Sequence, residues 1–516
     1  MKILHNARIH SLDPHCPAAS ALAIEGGRVF AVGGPELLES FPFARREDMG
    51  GRVILPGLTD AHIHLEKYAL SLQKLDLESG TDEEHLRCIQ ERVAQAASGE
   101  WVLGHGWVDI PSFDLHLGGT APIYLTAKSL HAAWANAAAL RLAGIGPGSA
   151  DPADGKIVRD EDGHPSGILL EGALRLVEAV IPQPDPEAVA AAMEAAQPVL
   201  WKMGLTGVHD FDGRLSFMAL QSLEAHARLK LRVLKSIPLE LLPQAHALGL
   251  RSGFGNDRLR IGAVKVFMDG ALGPRTAAMF QPYLNEPENQ GMLMMDGETL
   301  SEHGRQAADV GLGMAVHAIG DRAVHEVLDG FEQLRAYECQ RRLPALRHRI
   351  EHVQVIHPND APRLGRMGII ASMQPIHALS DMSLADLYWG ERARLSYAWR
   401  TQLGHGAALA FGSDAPVESP NPFWGLRAAL TRRRVDGFPG PDGWYPEERL
   451  AMCAALEAYT VGAAYAAGME DRLGRLLPGY HADLIVLEQD PLTCPPDDLL
   501  TMSASATMLG GEWLRV

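Results

Sequence analysis

Along the middle of the chain, short runs of apolar residues rich in Val, Ile, Leu and Ala alternate with longer stretches whose apolar positions recur every three or four residues. The short runs have the composition of strands buried on both faces and the longer ones the period of amphipathic helices, so their alternation predicts parallel βαβ units. Eight strands are predicted: Leu58 to His64, Thr206 to Phe211, Leu231 to Ile237, Ile261 to Asp269, Leu312 to His317, His348 to Val353, Ile369 to Gln374 and Leu409 to Asp414. Eight such units close naturally into a (β/α)8 TIM barrel, an α/β fold.

The two ends of the chain have a different texture. KILHNARIH and ALAIEGGRVFAVGG near the start, and ADLIVLEQD and ATMLGGEWLRV at the end, read as short strands, with Gly26-Gly27 and Gly510-Gly511 suited to tight hairpins. Alone, each end would leave strand edges open, and pairing covers them. Residues 1–54 and 474–516 are therefore expected to form one discontinuous small β-sandwich domain beside a barrel domain over residues 55–473. The span of about 65–201 is too long for a single crossover and carries its own strands, WVLGHGW and PIYLTAK, and an Ala-rich helix, HAAWANAAALRLAG. It reads as a large insertion after the first barrel strand, on the face where barrel active sites form, placed to roof the substrate.

Composition narrows the function. With 47% apolar and 21% charged residues the chain is an ordinary globular protein, and 516 residues exceed what one compact core usually holds. A formal charge of -18 argues against nucleic-acid or anionic-membrane partners, and the cluster Arg432-Arg433-Arg434 is too short to change that; it reads as a solvated loop. The five cysteines are scattered and odd in number, which suits a reducing compartment. The start lacks the apolar centre of a signal peptide, and no segment is apolar for long enough to span a bilayer. A cytoplasmic protein is expected, its oligomeric state open, a homo-oligomer included.

Candidate chemistry gathers at the predicted C-terminal ends of the barrel strands. In ILPGLTDAHIHLE, His62 and His64 stand at i and i+2, the spacing that puts two imidazoles on one face of a strand, with Asp60 one step before them. His209 and Asp210 end the second strand, Lys265 and Asp269 the fourth, His317 the fifth, His352 the sixth and Asp414 the eighth. Each has a plain structural alternative: packed histidines, a Lys265–Asp269 ion pair, a turn capped by Asp414. Together, at equivalent places in one repeated architecture, they point to a metal centre, because an apolar-cored barrel gains nothing from a rim of ionisable groups.

The order HxH, Lys, His, His, Asp, with VKVFMDGALGPRTAAM, VHAIGDRAV, RIEHVQ, SMQPIH, FGSDAPVESPNP and GRLLPGYHADLIVLEQD, resembles the amidohydrolase superfamily in its YtcJ-like branch, which includes N-substituted formamide deformylases. The resemblance implies two divalent metal ions, zinc by preference: His62, His64 and Asp414 on the more buried one, His317 and His352 on the other, and Lys265, carboxylated to a carbamate, as the bridge. A hydroxide shared by the two metals would then attack a small-molecule amide-type C–N bond, with Asp414 shuttling the proton to the leaving amine. His209 is a further catalytic candidate, for hydrogen bonding to substrate or oxyanion, with a structural role beside Asp210 as its alternative. Arg275, His377, Trp107 and His131 are candidate substrate contacts; Trp134, Phe211 and Trp424 would add an apolar wall. The rival readings are a deaminase of an aminated heterocycle, which needs no bridging lysine, and a non-catalytic binding protein on the same fold.

Overall fold

The structure, a computed structural model, describes residues 1–516 except 14, 16–18, 79, 108–112, 128–131, 153, 154 and 516. Its central sheet has eight parallel strands in sequence order: β1 (Leu58–Ile63), β2 (Leu205–Asp210), β3 (Arg232–Pro238), β4 (Leu259–Phe267), β5 (Met314–Ala318), β6 (Arg349–His352), β7 (Ile370–Met373) and β8 (Leu409–Phe411). All eight strands lie where the apolar runs predict them. Between them run helices with one apolar stripe: Asp321–Arg341 buries Val324, Val327, Leu328, Phe331 and Leu334 at the three-and-four spacing that keeps one face inward. This is the TIM barrel expected from the alternation of patterns.

The barrel closes where the end of β8 meets β1. The Asp414 N–H donates to the His62 carbonyl at 2.7 Å, and the His64 N–H donates to the Ala415 carbonyl at 2.9 Å. Asp60 stitches the same seam from within, its carboxylate accepting the Ser413 N–H at 3.0 Å and the Ser413 hydroxyl at 2.5 Å. The approach is so close that a Cβ at Gly412 would lie 2.4 Å from the His62 nitrogen, so only glycine fits there. Burial raises the Asp60 carboxyl to about 7, against the pull of those hydrogen bonds.

The two ends of the chain share one sheet of eight strands. Leu484–Leu487 lies antiparallel to Val53–Pro56, which runs parallel to Lys2–Ile9. One face of this sheet buries Leu4, Leu22, Ile24, Ile54, Leu484 and Met508, while the other buries Ile3, Ala21 and Ala23 against Leu37. Both predicted hairpin tips carry two positive φ angles, 58° and 77° at Gly26-Gly27 and 58° and 79° at Gly510-Gly511. The terminal sheet does not separate from the barrel: Met1–Tyr68 and Met193–Val516 make one compact unit. Arg232 at the start of β3 forms a buried ion pair with Asp483, whose Oδ1 accepts from Nη2 at 2.8 Å and from the Gly510 N–H at 2.7 Å.

Ala69–Ala192 is a second compact unit, narrower than the predicted insertion. Its six-stranded sheet buries Tyr124, Leu169 and Val177 in one cluster and Ile89, Val102, Trp107 and Trp134 in another. Asn136 caps the helix Ala137–Leu142 and has its side chain fully engaged, accepting from Ile123 and Ala139 and donating to Leu117 and Ala121.

The arginine cluster departs from the solvated loop expected of it. Arg432 is fully buried between the rings of Trp399 and Trp444, 4.5 and 4.9 Å from their centroids, and donates to the carbonyls of Trp444, Tyr397 and Ser396. Three converging carbonyls and two aromatic faces supply what water would otherwise give a guanidinium. Arg433 pairs with Asp497. Among the described residues no helix is long and apolar enough to cross a membrane.

The Arg232–Asp483 pair gives a direct test of the joint between terminal sheet and barrel. Asp483→Ala leaves a buried guanidinium without its acid and should destabilise the protein by about 3–5 kcal/mol, read as a lower urea midpoint. An unchanged midpoint would show that the joint does not depend on this pair.

Candidate metal centre

β1 delivers its imidazoles ready oriented. The His62 Nδ1 is hydrogen-bonded to Glu351 at 2.6 Å and the His64 Nδ1 to Asp212 at 3.0 Å. Both rings therefore turn their Nε2 atoms to one point, 3.5 and 3.4 Å from the same Asp414 oxygen. The donor atoms of His62, His64 and Asp414 all lie within 4.8 Å of one another. The His62 Nε2 is buried and has no hydrogen-bond partner, a costly state for a polar atom that a cation at this point would relieve. Imidazoles anchored by carboxylates through the far nitrogen are the usual setting of metal-ligating histidines.

Two more histidines and the lysine complete the cluster. The His352 ring lies 4.9 Å from that of His62 and 4.6 Å from that of His317. His352 is held by Gln374 at 2.8 Å and His317 by the Gly270 carbonyl at 3.0 Å. The backbone at His352 and Val353 has φ of 78° and 44°, and at Asp414 60°, conformations that side-chain-bearing residues adopt only when their surroundings hold them there. Lys265 is buried with its Nζ 4.6 Å from the Phe211 ring and 4.9 Å from Phe267, rings that also pack on His62 and His317. Its alternative partner is taken, since Asp269 accepts the backbone N–H groups of Ala278, Ile319 and Gly320 at 2.8–3.0 Å.

Burial and the Lys265 charge lower His62 and His317 to about 4, so both rings are neutral, the form that binds metals. Burial likewise lowers Lys265, to about 8. His64 goes the other way: burial would lower it, but Asp212 and Asp414 together raise it to about 9. Burial would raise Asp414, yet His62, His64 and His352 hold its carboxyl well below the usual range. The cluster thus presents neutral His62 and His317, a His64 kept protonated by its two carboxylates, and an ionised Asp414.

Residues 46–514 match the profile of the Amidohydrolase family. The chain belongs to that family. It is 32% identical over 538 residues to Protein LONG AFTER FAR-RED 3 of Arabidopsis thaliana, covering 99% of this chain and 91% of that one. To the YtcJ protein of Bacillus subtilis it is 31% identical, over 99% of this chain and 98% of the other. To the N-substituted formamide deformylase of Arthrobacter pascens it is 26% identical, over 98% and 96%. The crystal structure of an uncharacterized metal-dependent hydrolase from Pyrococcus furiosus superposes with a TM-score of 0.79 at 29% identity, covering 95% of this chain and all of that one. As an amidohydrolase, the chain is a hydrolase.

The other candidate residues of this amidohydrolase lie in varied places. His377 is buried, donates to the Ser413 carbonyl at 3.0 Å, and lines a cavity of about 230 Å³ with His317, His352 and Asp414. His64 and Lys265 line a second cavity, of about 680 Å³, with Phe211 and Phe267. His209 is placed differently from the substrate contact expected of it. It is buried in the barrel, its Nδ1 accepts from Arg349 at 2.9 Å, and it opens on a cavity at the opposite, N-terminal ends of the strands, with Gly57, Thr59 and Arg232. Nor does it pair with Asp210, which holds Lys235 at 2.8 Å and Ser216 at 2.7 Å. Trp107 is a core residue of the second unit with its indole N–H on the Leu125 carbonyl, and Trp134 is buried in the same cluster. Arg275 is paired with Glu286 and lies over Tyr388, outside both cavities. Trp424 donates to the Leu500 carbonyl. His131 lies outside the described residues.

Four residues that hold the candidate ligands or one another escape a reading confined to the ligand motifs: Glu351, Arg349, Asp212 and Gln374. Arg349 binds Glu351, the Ala61 carbonyl, His209 and Ser372, so one guanidinium ties β1, β2, β6 and β7 together under the cluster. The signal was present in RIEH, where an acid and a base interrupt a strand that should be apolar on both faces.

Glu351→Gln keeps the shape of the His62 anchor and removes its charge. Metal affinity, measured by competition with a chelating dye, is expected to fall about 10- to 100-fold. Unchanged affinity would show that His62 needs no carboxylate anchor.

Proposed function

We propose that this chain is a metal-dependent hydrolase that cleaves a C–N bond in a small amide-type substrate, with N-substituted formamides as the first class to test. The observation that carries this reading is the convergence of two carboxylate-anchored imidazoles on Asp414 around an unpartnered buried nitrogen. His62, His64 and Asp414 would hold one divalent ion, His317 and His352 a second, and Lys265, carboxylated, would bridge them; zinc suits this nitrogen and oxygen donor set. Ions held there lower the pKa of water toward neutrality and polarise a carbonyl.

The chain's own residues do the rest. Asp414, kept ionised by the surrounding histidines, accepts a proton as water attacks the carbonyl carbon and returns it to the nitrogen as the C–N bond breaks. Glu351 and Asp212 fix the two imidazoles so that no reorganisation is needed when charge develops. The deformylase among the relatives supports the formyl amides as the starting class. Deamination is less well supported, because Lys265 has no acid within ion-pairing distance among the described residues, and Asp321, the first acid after His317, accepts the Phe280 N–H at 2.9 Å. The charge of -18 favours a free small molecule over a nucleic acid or membrane surface, and the scattered cysteines favour the cytoplasm.

The test is a screen of N-substituted formamides, acyl amides, cyclic ureas and aminated heterocycles, with formate, amine and ammonia measured separately and metal content determined. Removing metal with a chelator should abolish turnover, and adding zinc back should restore it. Asp414→Asn should lower kcat by about 10²–10⁴-fold. Near-normal turnover of that variant with metal bound would place the proton shuttle elsewhere. Lys265→Ala should lose metal and activity, both partly restored by added short carboxylic acids; full metal content in the variant would remove the bridge from the proposal.

A further inference from the structure

His64 is held by more than its own carboxylate partner. Asp212 accepts the His64 Nδ1–H at 3.0 Å through Oδ1 and the Glu66 N–H at 2.7 Å through Oδ2, so one side chain fixes both the ring and the backbone two residues on. Asp210 secures the residue between them. Its Oδ1 accepts the Leu65 N–H at 2.9 Å, while its Oδ2 accepts the Ser216 hydroxyl at 2.7 Å. The turn after β1, which opens the helix Leu65–Ser71, is therefore pinned by two acids at the end of β2 and just beyond it.

Both acids converge on Lys235 in β3. It is 2% exposed, its Nζ lies 2.8 Å from the Asp210 Oδ2, and it also donates to the Asp212 carbonyl. Asp210 has no exposed surface, and a carboxylate so placed stays ionised only beside a cation. An ammonium has three donors, so Lys235 can neutralise one acid and still grip the main chain of the other. Because that grip is on the Asp212 carbonyl, the Asp212 carboxylate is left to serve His64 and Glu66. The arrangement repeats, with other residues, what Arg349 and Glu351 do for His62: a buried cation holds the acid that holds the imidazole. Lys235 lines neither cavity that meets the cluster, so its effect on the site must pass through the two acids.

We infer that Lys235 is a positioning residue for the metal centre: it sets the segment from Asp210 to Asp212 against the turn after β1 and so aims His64 at Asp414. The inference rests on the proposed metal centre only in taking His64 as a ligand. A purely structural ion pair would cost stability when removed and leave the coordination of a bound ion as it was.

Lys235→Met alone strands the buried Asp210 carboxylate and may not fold, so the decisive variant is Lys235→Met/Asp210→Asn. It removes both charges of the pair, keeps an oxygen for Leu65 and Ser216, and is expected to fold. Its zinc affinity, measured by competition with a chelating dye, should fall about tenfold or more. Asp210→Asn alone leaves Lys235 on the Asp212 carbonyl and should stay within about threefold of the parent protein. The visible absorption of the cobalt-loaded double variant, which reports the ligands on the ion, should depart from that of the parent in the same direction as that of Asp212→Ala. Added to Asp212→Ala, the double substitution should cost less than about threefold further; added to Glu351→Gln, which serves His62, it should cost its full factor. Parent affinity and spectrum in the folded double variant, or a loss that multiplies in full with Asp212→Ala, would overturn the inference. No zinc or cobalt bound by the unsubstituted protein would overturn the metal centre and this inference with it. Metal bound without C–N cleavage across the substrate screen would overturn the hydrolase reading alone, with the coupling of Lys235 to Asp212 still standing.

Discussion

The meeting of the eighth strand with the first is the constraint on which the site depends. Asp414 and the two β1 histidines come from positions some 350 residues apart, and only closure of the barrel puts their donor atoms within 4.8 Å. The closure is not generic strand pairing. Asp60 reaches across to Ser413, Gly412 permits contact with the His62 backbone, and the His62 carbonyl takes the Asp414 N–H. The hydrogen bonds that close the barrel also fix the backbone of two candidate ligands, so closure and assembly of the site are one event.

Below the seam lies a buried polar network that an apolar barrel core would not need. Arg349 gathers groups from four strands, and Glu351 stands between Arg349 and His62. Removing one member leaves another charged and unpaired in a medium that solvates it poorly, so the network is stable only when complete. Its function is orientation: through Glu351 the first imidazole is aimed, and through His209 and Ser372 the guanidinium is itself held. His209, which stands in sequence where a substrate contact might be sought, belongs to this support because it points into the barrel below the cluster.

Much of this was legible in one dimension. The period of the apolar positions located the eight strands, because a parallel sheet buried on both faces leaves few places for polar groups. The same reasoning made the exceptions at strand ends, His62, His64, Lys265, His317, His352 and Asp414, stand out as candidate ligands. The Gly-Gly pairs at 26 and 510 marked the hairpins, since consecutive positive φ angles exclude most other residues.

Other features are properties of three-dimensional proximity, which residue type and local spacing do not encode. Nothing adjacent to Arg432 in the sequence announces the Trp399 and Trp444 rings that bury it, and nothing in HDFD tells which acid anchors His64: Asp212 does, while Asp210 pairs with Lys235. Trp107 stays open between pocket and core until its neighbours are placed. The sequence by itself determined the barrel, the candidate ligands at the strand ends and the pairing of the chain's two ends, because these follow from periodicity and from chemistry carried by single residues. Tertiary structure alone decided which carboxylate serves which imidazole and where Lys265 finds its aromatic walls, because those depend on distances between segments far apart along the chain.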